Sequence, residues 1–251
     1  MEKFYMNLAE RSIAVSANFA TTKRFCREYI LDEVPNEVDI EVEITLEKIE
    51  VEREALRMAG EEGFSDAYLE TLVLQRGISD ELPKYGVILF HGSAVALDGE
   101  VYLFTAPSGT GKSTHASLWR KAVGERIVMV NDDKPFLGVK EDGTVVVYGS
   151  PWNGKHRLSN NIVLPLKAIC ILEQAKENKI QRIAAGDAFR TIYTQTYRKS
   201  TDMQFMDRTL DILEHVMKYP IWKLECNISK EAFRLSFETM TGEVWEEKIC
   251  D

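Results

Sequence analysis

The chain has 251 residues, 45% of them apolar and 28% charged, with a formal net charge of −9. That length buries a sizeable core, in one large domain or two small ones. The acidic balance speaks against a nucleic-acid binder, which holds phosphate backbones with clustered Lys and Arg. No apolar run approaches the ~20 residues needed to cross a bilayer, and the start, Met1-Glu2-Lys3-Phe4-Tyr5, lacks the apolar stretch of a signal peptide. A soluble cytoplasmic protein with no membrane partner is expected; homo-oligomerisation is left open.

The first eighty or so residues differ in texture from the rest. Ser12 to Val15 reads as a short strand, and Val38, Ile40, Val42 and Ile44 alternate with acidic residues at the two-residue period of a half-buried strand. Leu46 to Met58 is acidic and helix-prone, and a second helix is expected from Ser65, a good N-cap, to Arg76. The glutamates of this region read as a solvated face. Pro83 breaks the pattern, so residues 1–84 form a small N-terminal α+β lobe and residues 85–251 a second domain.

From Tyr85 the texture is α/β. Val87 to His91 and Ser93 to Leu97 read as strands, and Asp98-Gly99 marks a tight turn into the strand Val101 to Phe104. A helix follows as far as Gly124, then a buried strand from Arg126 to Val130, a hairpin from Val139 to Tyr148 around Asp142-Gly143, and a strand from Ala168 to Leu172. Met203, Met206, Leu210, Leu213 and Met217 are spaced as one helix face and read as core. Cys26, Cys170, Cys226 and Cys250 show neither CxxC pairing nor a spacing shared with histidines, so reduced, mostly buried thiols are expected.

The stretch Ala106-Pro107-Ser108-Gly109-Thr110-Gly111-Lys112-Ser113-Thr114 matches GxxxxGK[ST] except that Ala106 replaces the first glycine. It lies between a strand and a helix, the context that makes such a loop a phosphate site. Backbone N–H groups would cradle the phosphates of a nucleotide, and the helix N-terminus would add partial positive charge. Lys112 would reach the β- and γ-phosphates and the Ser113 hydroxyl would ligate Mg²⁺.

Asn131-Asp132-Asp133 follows the next strand and should emerge beside that loop, where open α/β sheets bind ligands. One carboxylate can hold Mg²⁺ and the other can accept the proton of an incoming hydroxyl. His91 precedes the loop by fifteen residues; it is either an active-site group or a structural residue at a strand end, and Gly92 beside it permits close backbone approach to a phosphate pocket. Gly149 to Arg157 reads either as a surface hairpin loop with solvated charges or as a shaped loop in which an exposed Trp152 would wall the acceptor pocket and Lys155 and Arg157 would neutralise charge on a transferring phosphoryl group. Arg190, Arg198 and Arg208 are further candidate phosphate clamps.

His91-Gly92, the loop Ser108 to Ser113 and Asp132-Asp133 together resemble the kinase domain of HPr kinase/phosphorylase. Its wider fold is shared with phosphoenolpyruvate carboxykinase, whose loop Ser108 to Lys112 also resembles. The resemblance covers roughly Tyr85 to Arg157. It implies a P-loop kinase domain, a mixed sheet with flanking helices, that transfers a phosphoryl group from ATP with Mg²⁺. It also implies that His91 and Lys112 are active-site residues, that Ser113 binds the metal, and that one aspartate is the base. Asp133 is assigned as base and Asp132 as metal ligand, the reverse remaining open. Where the family carries a metal-binding glutamate downstream, this chain has Pro151-Trp152. With an N-terminal lobe unlike that of HPr kinase, the expected acceptor is another hydroxyl, on a peptide or protein serine or on a small metabolite. The alternatives are a carboxykinase-like lyase and a non-catalytic nucleotide sensor.

Overall fold

A computed structural model describes residues 1–199 and 201–246. It divides into two compact units, Met1–Tyr85 and Gly86–Asp251. Among the described residues no helix is long and apolar enough to cross a membrane. Cys26 and Cys170 are buried, Cys226 is half-buried, and all three are free thiols; Cys250 lies outside the described residues.

The first unit is a sheet of β1 (Glu2–Leu8), β2 (Arg11–Ala17) and, after α1 (Ala20–Phe25), β3 (Ile40–Glu43), followed by α2 (Leu46–Met58) and α3 (Asp66–Glu81). Strand β1 has no counterpart in the sequence reading, although Phe4, Met6 and Leu8 alternate inward. It joins β2 through Ala9 and Glu10, both at positive φ, as in the two-residue turns whose twist suits a hairpin. The strand expected over 38–44 shortens to β3, because the Asp39 carboxylate turns back to accept from the Ser12 amide. The caps Thr45 and Ser65 accept from the amides of Lys48 and Tyr68. Helix α3 continues past Arg76, since Ile78 is buried as well.

The expected solvated glutamate face needs correcting at two positions. Glu70 is fully buried, and its carboxylate accepts from the amides of Asn18 and Phe19, the Asn18 side chain and the Thr22 hydroxyl. Glu52 is also buried and pairs with the Arg76 guanidinium. Both charges are taken out of water only because each finds partners.

The second unit contains β4 (Val87–Leu89), β5 (Ser93–Leu97), β6 (Glu100–Thr105), α4 (Lys112–Val123), β7 (Ile127–Asn131), β8 (Phe136–Val139), β9 (Val145–Tyr148) and β10 (Val163–Gln174). After these come β11 (Lys179–Arg182), α5 (Ala185–Thr194), α6 (Met203–Val216), β12 (Ile221–Cys226) and α7 (Lys230–Thr241). The mixed sheet runs β4-β8-β9-β10-β6-β5-β7, with β12 on the far half of β10 and β11 on β12. Side chains alternate across it. Val101 and Leu103 of β6 face Ala188, Ile192, Ile212 and Leu213 of α5 and α6. Tyr102 and Phe104 face Trp119, Phe233 and Phe237 of α4 and α7. The result is a sheet with helices packed on both faces.

Several expectations shift. The strand from Val87 stops at Leu89, which still pairs with Phe136 of β8; beyond it Phe90 donates to the Pro135 carbonyl, and Leu89 to His91 bond Gln195 to Tyr197 on the other side. Methionine spacing misplaced the buried face of α6: Met203 and Leu210 are exposed, and Phe205, Thr209, Ile212, Leu213 and Val216 point inward. The Asp98-Gly99 turn and the hairpin of β8 with β9 form where expected.

Candidate active site

Strand β5 runs antiparallel to both β6 and β7, so its first residue lies on the edge where those two strands end. That arrangement gathers His91, Ser93, the loop 106–111 and the Asp132-Asp133 pair on one edge of the sheet. A register shift near Ala94 adds an extra residue to β7 just before the pair, a device that re-aims side chains at a strand end.

The loop after β6 has Gly109 at φ +78° and Gly111 at φ +113°, backbone that a side chain rarely adopts. Gly111 caps α4 with no side chain accepting from the first amides of the helix. Those amides are therefore open to an anion, favoured there by the helix dipole. Ala106 is fully buried among the α4 and α7 side chains and is not at positive φ, so the missing first glycine costs the loop nothing. On its outer side the loop is held by Gln174, whose amide donates to the Thr110 carbonyl at 3.2 Å. A cavity of about 600 Å³ opens there, lined by Pro107 to Thr110, Ile171 to Gln174, Thr191 and Thr194.

Lys112 is 7% exposed, and its ammonium donates to the carbonyls of Ala106 at 2.9 Å and Pro107 at 3.2 Å. Burial, and then the nearby Lys134, lower its pKa, while Asp133 and Asp132 act in the opposite sense. An ammonium stored against neutral carbonyls in this way is free to exchange them for charged phosphate oxygens, which are stronger acceptors.

Asn131 shapes the turn that presents the two acids. Its side-chain oxygen accepts from the amides of Asp133 at 2.8 Å and Lys134 at 2.7 Å, and its amide group donates to Ser150. Asp132 is 4% exposed and accepts from the Ser93 hydroxyl at 2.7 Å. Burial raises its pKa, opposed by hydrogen bonds from Ser93 and Ser113 and by the charge of His156. Asp133 faces His91, with Nε2 3.3 Å from Oδ1, and Lys134, with Nζ 3.4 Å from the same oxygen. Burial works against its ionisation, yet the His91 hydrogen bond and the Lys134 charge together hold its carboxyl below the usual range.

His91, Lys112, Ser113, Asp132 and Asp133 are thus brought together, and Lys155 and Arg157 are not: both stay exposed on the neighbouring loop. Trp152 is a correction, because it is buried edge-on against Phe136 and not exposed. Gly92 is another. A β-carbon there would fall 3.0 Å from the Phe104 carbonyl, so its close approach is to β6. Arg198 lies over the Tyr193 ring and Arg190 is exposed. Ser93, Asn131, Lys134 and Gln195 have no role in the sequence pattern. Only Asn131 carried a signal, as an Asn before two acids at a turn.

No family model matches the chain, and no curated protein matches it. Among solved structures, the chain is similar to the HPr(Ser) kinase/phosphatase from Coxiella burnetii at 12% identity and a TM-score of 0.36, over 61% of this chain and 88% of that one. Likeness at that level assigns no fold family.

Proposed function

We propose that the unit Gly86–Asp251 is a P-loop kinase domain of the HPr kinase and phosphoenolpyruvate carboxykinase type. It transfers the terminal phosphoryl group of ATP to a hydroxyl, on a peptide or protein serine or on a small metabolite. One observation carries this reading. A glycine loop at an uncapped helix N-terminus encloses Lys112, and a carboxylate held ionised, Asp133, stands on the same sheet edge. Binding a phosphate needs the loop and the lysine; the ionised acid beside them suits proton removal.

The loop amides and the α4 N-terminus bind the phosphate chain, and Lys112 leaves its two carbonyls to bond the β- and γ-oxygens. Asp133 takes the proton of the acceptor hydroxyl as the new O–P bond forms and the bond to the leaving diphosphate breaks. His91 and Lys134 keep that carboxylate charged until then. Lys155 and Arg157, exposed on the loop beside Asp133, are the candidate cations for charge on the transferring group.

Mg²⁺ fits the residues beside the loop. The Ser113 hydroxyl and the Asp132 carboxylate are hard oxygen donors, the type this ion takes alongside phosphate and water. When bound, the ion neutralises charge on the phosphate oxygens.

The test is to incubate the chain with ATP and Mg²⁺ and follow ADP, with and without panels of hydroxylated metabolites and serine peptides. Acceptor-dependent ADP and a phosphorylated hydroxyl support the reading. Tight ATP binding with no acceptor effect overturns it in favour of a nucleotide sensor.

A further inference from the structure

Gln195 directly follows α5 and meets His91 twice. Its backbone carbonyl accepts from the His91 amide at 2.8 Å, and its side-chain oxygen lies 2.9 Å from His91 Nδ1. The pairing continues into the chain on either side, with the Tyr197 amide donating to the Leu89 carbonyl and Thr196 bridged to Phe90. The Thr105 hydroxyl donates to the His91 carbonyl at 2.9 Å and fixes the same residue from β6. The backbone of His91 is therefore clamped from two sides, and the ring has one side-chain partner on each nitrogen: Gln195 on Nδ1 and Asp133 on Nε2.

With its oxygen turned to the ring, the Gln195 amide accepts, so Nδ1 is the donor of that contact, and the Asp133 carboxylate accepts at Nε2 in the same way. With Nδ1–H spent on Gln195, Nε2 is the nitrogen turned to Asp133, and the ring plane is set by the line between the two partners. We infer that Gln195 is a positioning residue: it fixes the His91 ring with Nδ1–H on its own amide oxygen and Nε2 presented to Asp133. The effect on transfer rests on the kinase reading above; the ring placement does not.

The experiment uses the full chain labelled with ¹⁵N-histidine. The sequence holds four histidines, and a His91→Gln sample identifies the His91 ring signals by their loss. Long-range ¹H–¹⁵N spectra should show the wild-type His91 ring protonated at Nδ1. Gln195→Leu should change that pattern and lower kcat for ATP turnover about ten- to hundredfold, the size seen when the outer hydrogen-bond partner of a metal-bound histidine is removed. The ATP Kd should stay within about twofold. Gln195→Glu keeps an acceptor of the same length and should retain both the Nδ1 proton and most of the rate, an outcome that a purely packing role would not select. A wild-type ring bare at Nδ1, or a Gln195→Leu chain with unchanged ring signals and unchanged kcat, overturns the inference. A wild-type chain with the expected ring signals but no ATP turnover counts for the ring placement and against the kinase reading.

Discussion

Gly154 abuts Asp133: a β-carbon on the glycine would fall 3.1 Å from the β-carbon of the aspartate, and the glycine itself sits at φ +69°. The loop that carries Lys155 and Arg157 thus presses its backbone on the acid. Gly154→Ala should displace Asp133 and lower turnover about tenfold or more, because small misplacements of a reacting group cost rate steeply. The melting temperature should fall as well, since alanine is strained at this φ. Unchanged turnover would show that the loop and the acid are not coupled.

Asp133→Asn should keep nucleotide binding and lose transfer by on the order of 10²–10⁴. In the wild-type chain the carboxyl sits below its ordinary value, so it is in its basic form from mildly acidic pH upward. The acid limb of the rate profile should therefore fall below the usual carboxylate range. Steady-state kinetics and an ATP titration on the same sample decide the point, and transfer at near the wild-type rate would move the base to Asp132.

Lys112→Ala should abolish turnover and most ATP affinity together. The substitution also removes the Lys112 donor from the Ala106 carbonyl, while the Pro107 carbonyl keeps the Thr110 hydroxyl. An ATP titration by calorimetry checks it; retained affinity would place the phosphates elsewhere.

His115 gives a stability prediction. It is buried against Phe104, its Nε2 meets the Ser236 hydroxyl at 2.9 Å, and burial pushes its pKa down to about 4 from 6.5. Between those values the unfolded chain binds a proton there that the folded chain refuses, so stability falls as pH drops through that window. The full loss is roughly 3 kcal/mol. Urea unfolding at pH 7 and pH 4.5 should show a smaller pH dependence for His115→Gln than for the wild-type chain.

Two glycines should answer an alanine with opposite signs. At Gly149 a β-carbon would fall 1.9 Å from the Asn160 carbonyl, so Gly149→Ala forces the backbone apart and should destabilise by about 1–3 kcal/mol. Gly186 lies in α5 with nothing within 4 Å, and Gly186→Ala should stabilise by about 0.4–1 kcal/mol. Denaturant midpoints measure both.

Local signals in the chain carried the strands of alternating or continuous apolar residues, the capped helices and the phosphate loop, since each is decided within a dozen residues. Missed elements depended on distant partners. Strand β1 needs β2 beside it, and the inward face of α6 is set by the sheet it covers, not by where its methionines fall. The acids and the loop were legible as a pair because strand ends after a crossover share an edge. Gln195 was not, because nothing in the sequence says that the segment after α5 returns to lie along Leu89 to His91. Trp152 read as exposed from its glycine-rich surroundings, and Phe136, sixteen residues earlier in the chain, is what covers it.

The Ser236 hydroxyl on α7 serves two rings of α4 at once, His115 and the Trp119 indole N–H, and donates its own O–H to the Phe233 carbonyl. A chain truncated ahead of Ser229 would strand both rings in apolar surroundings, in the very helix whose first residue is Lys112. The far C-terminal region thereby acts as a keel for the phosphate-binding end, and truncations made to trim the protein for expression should stop short of Thr241.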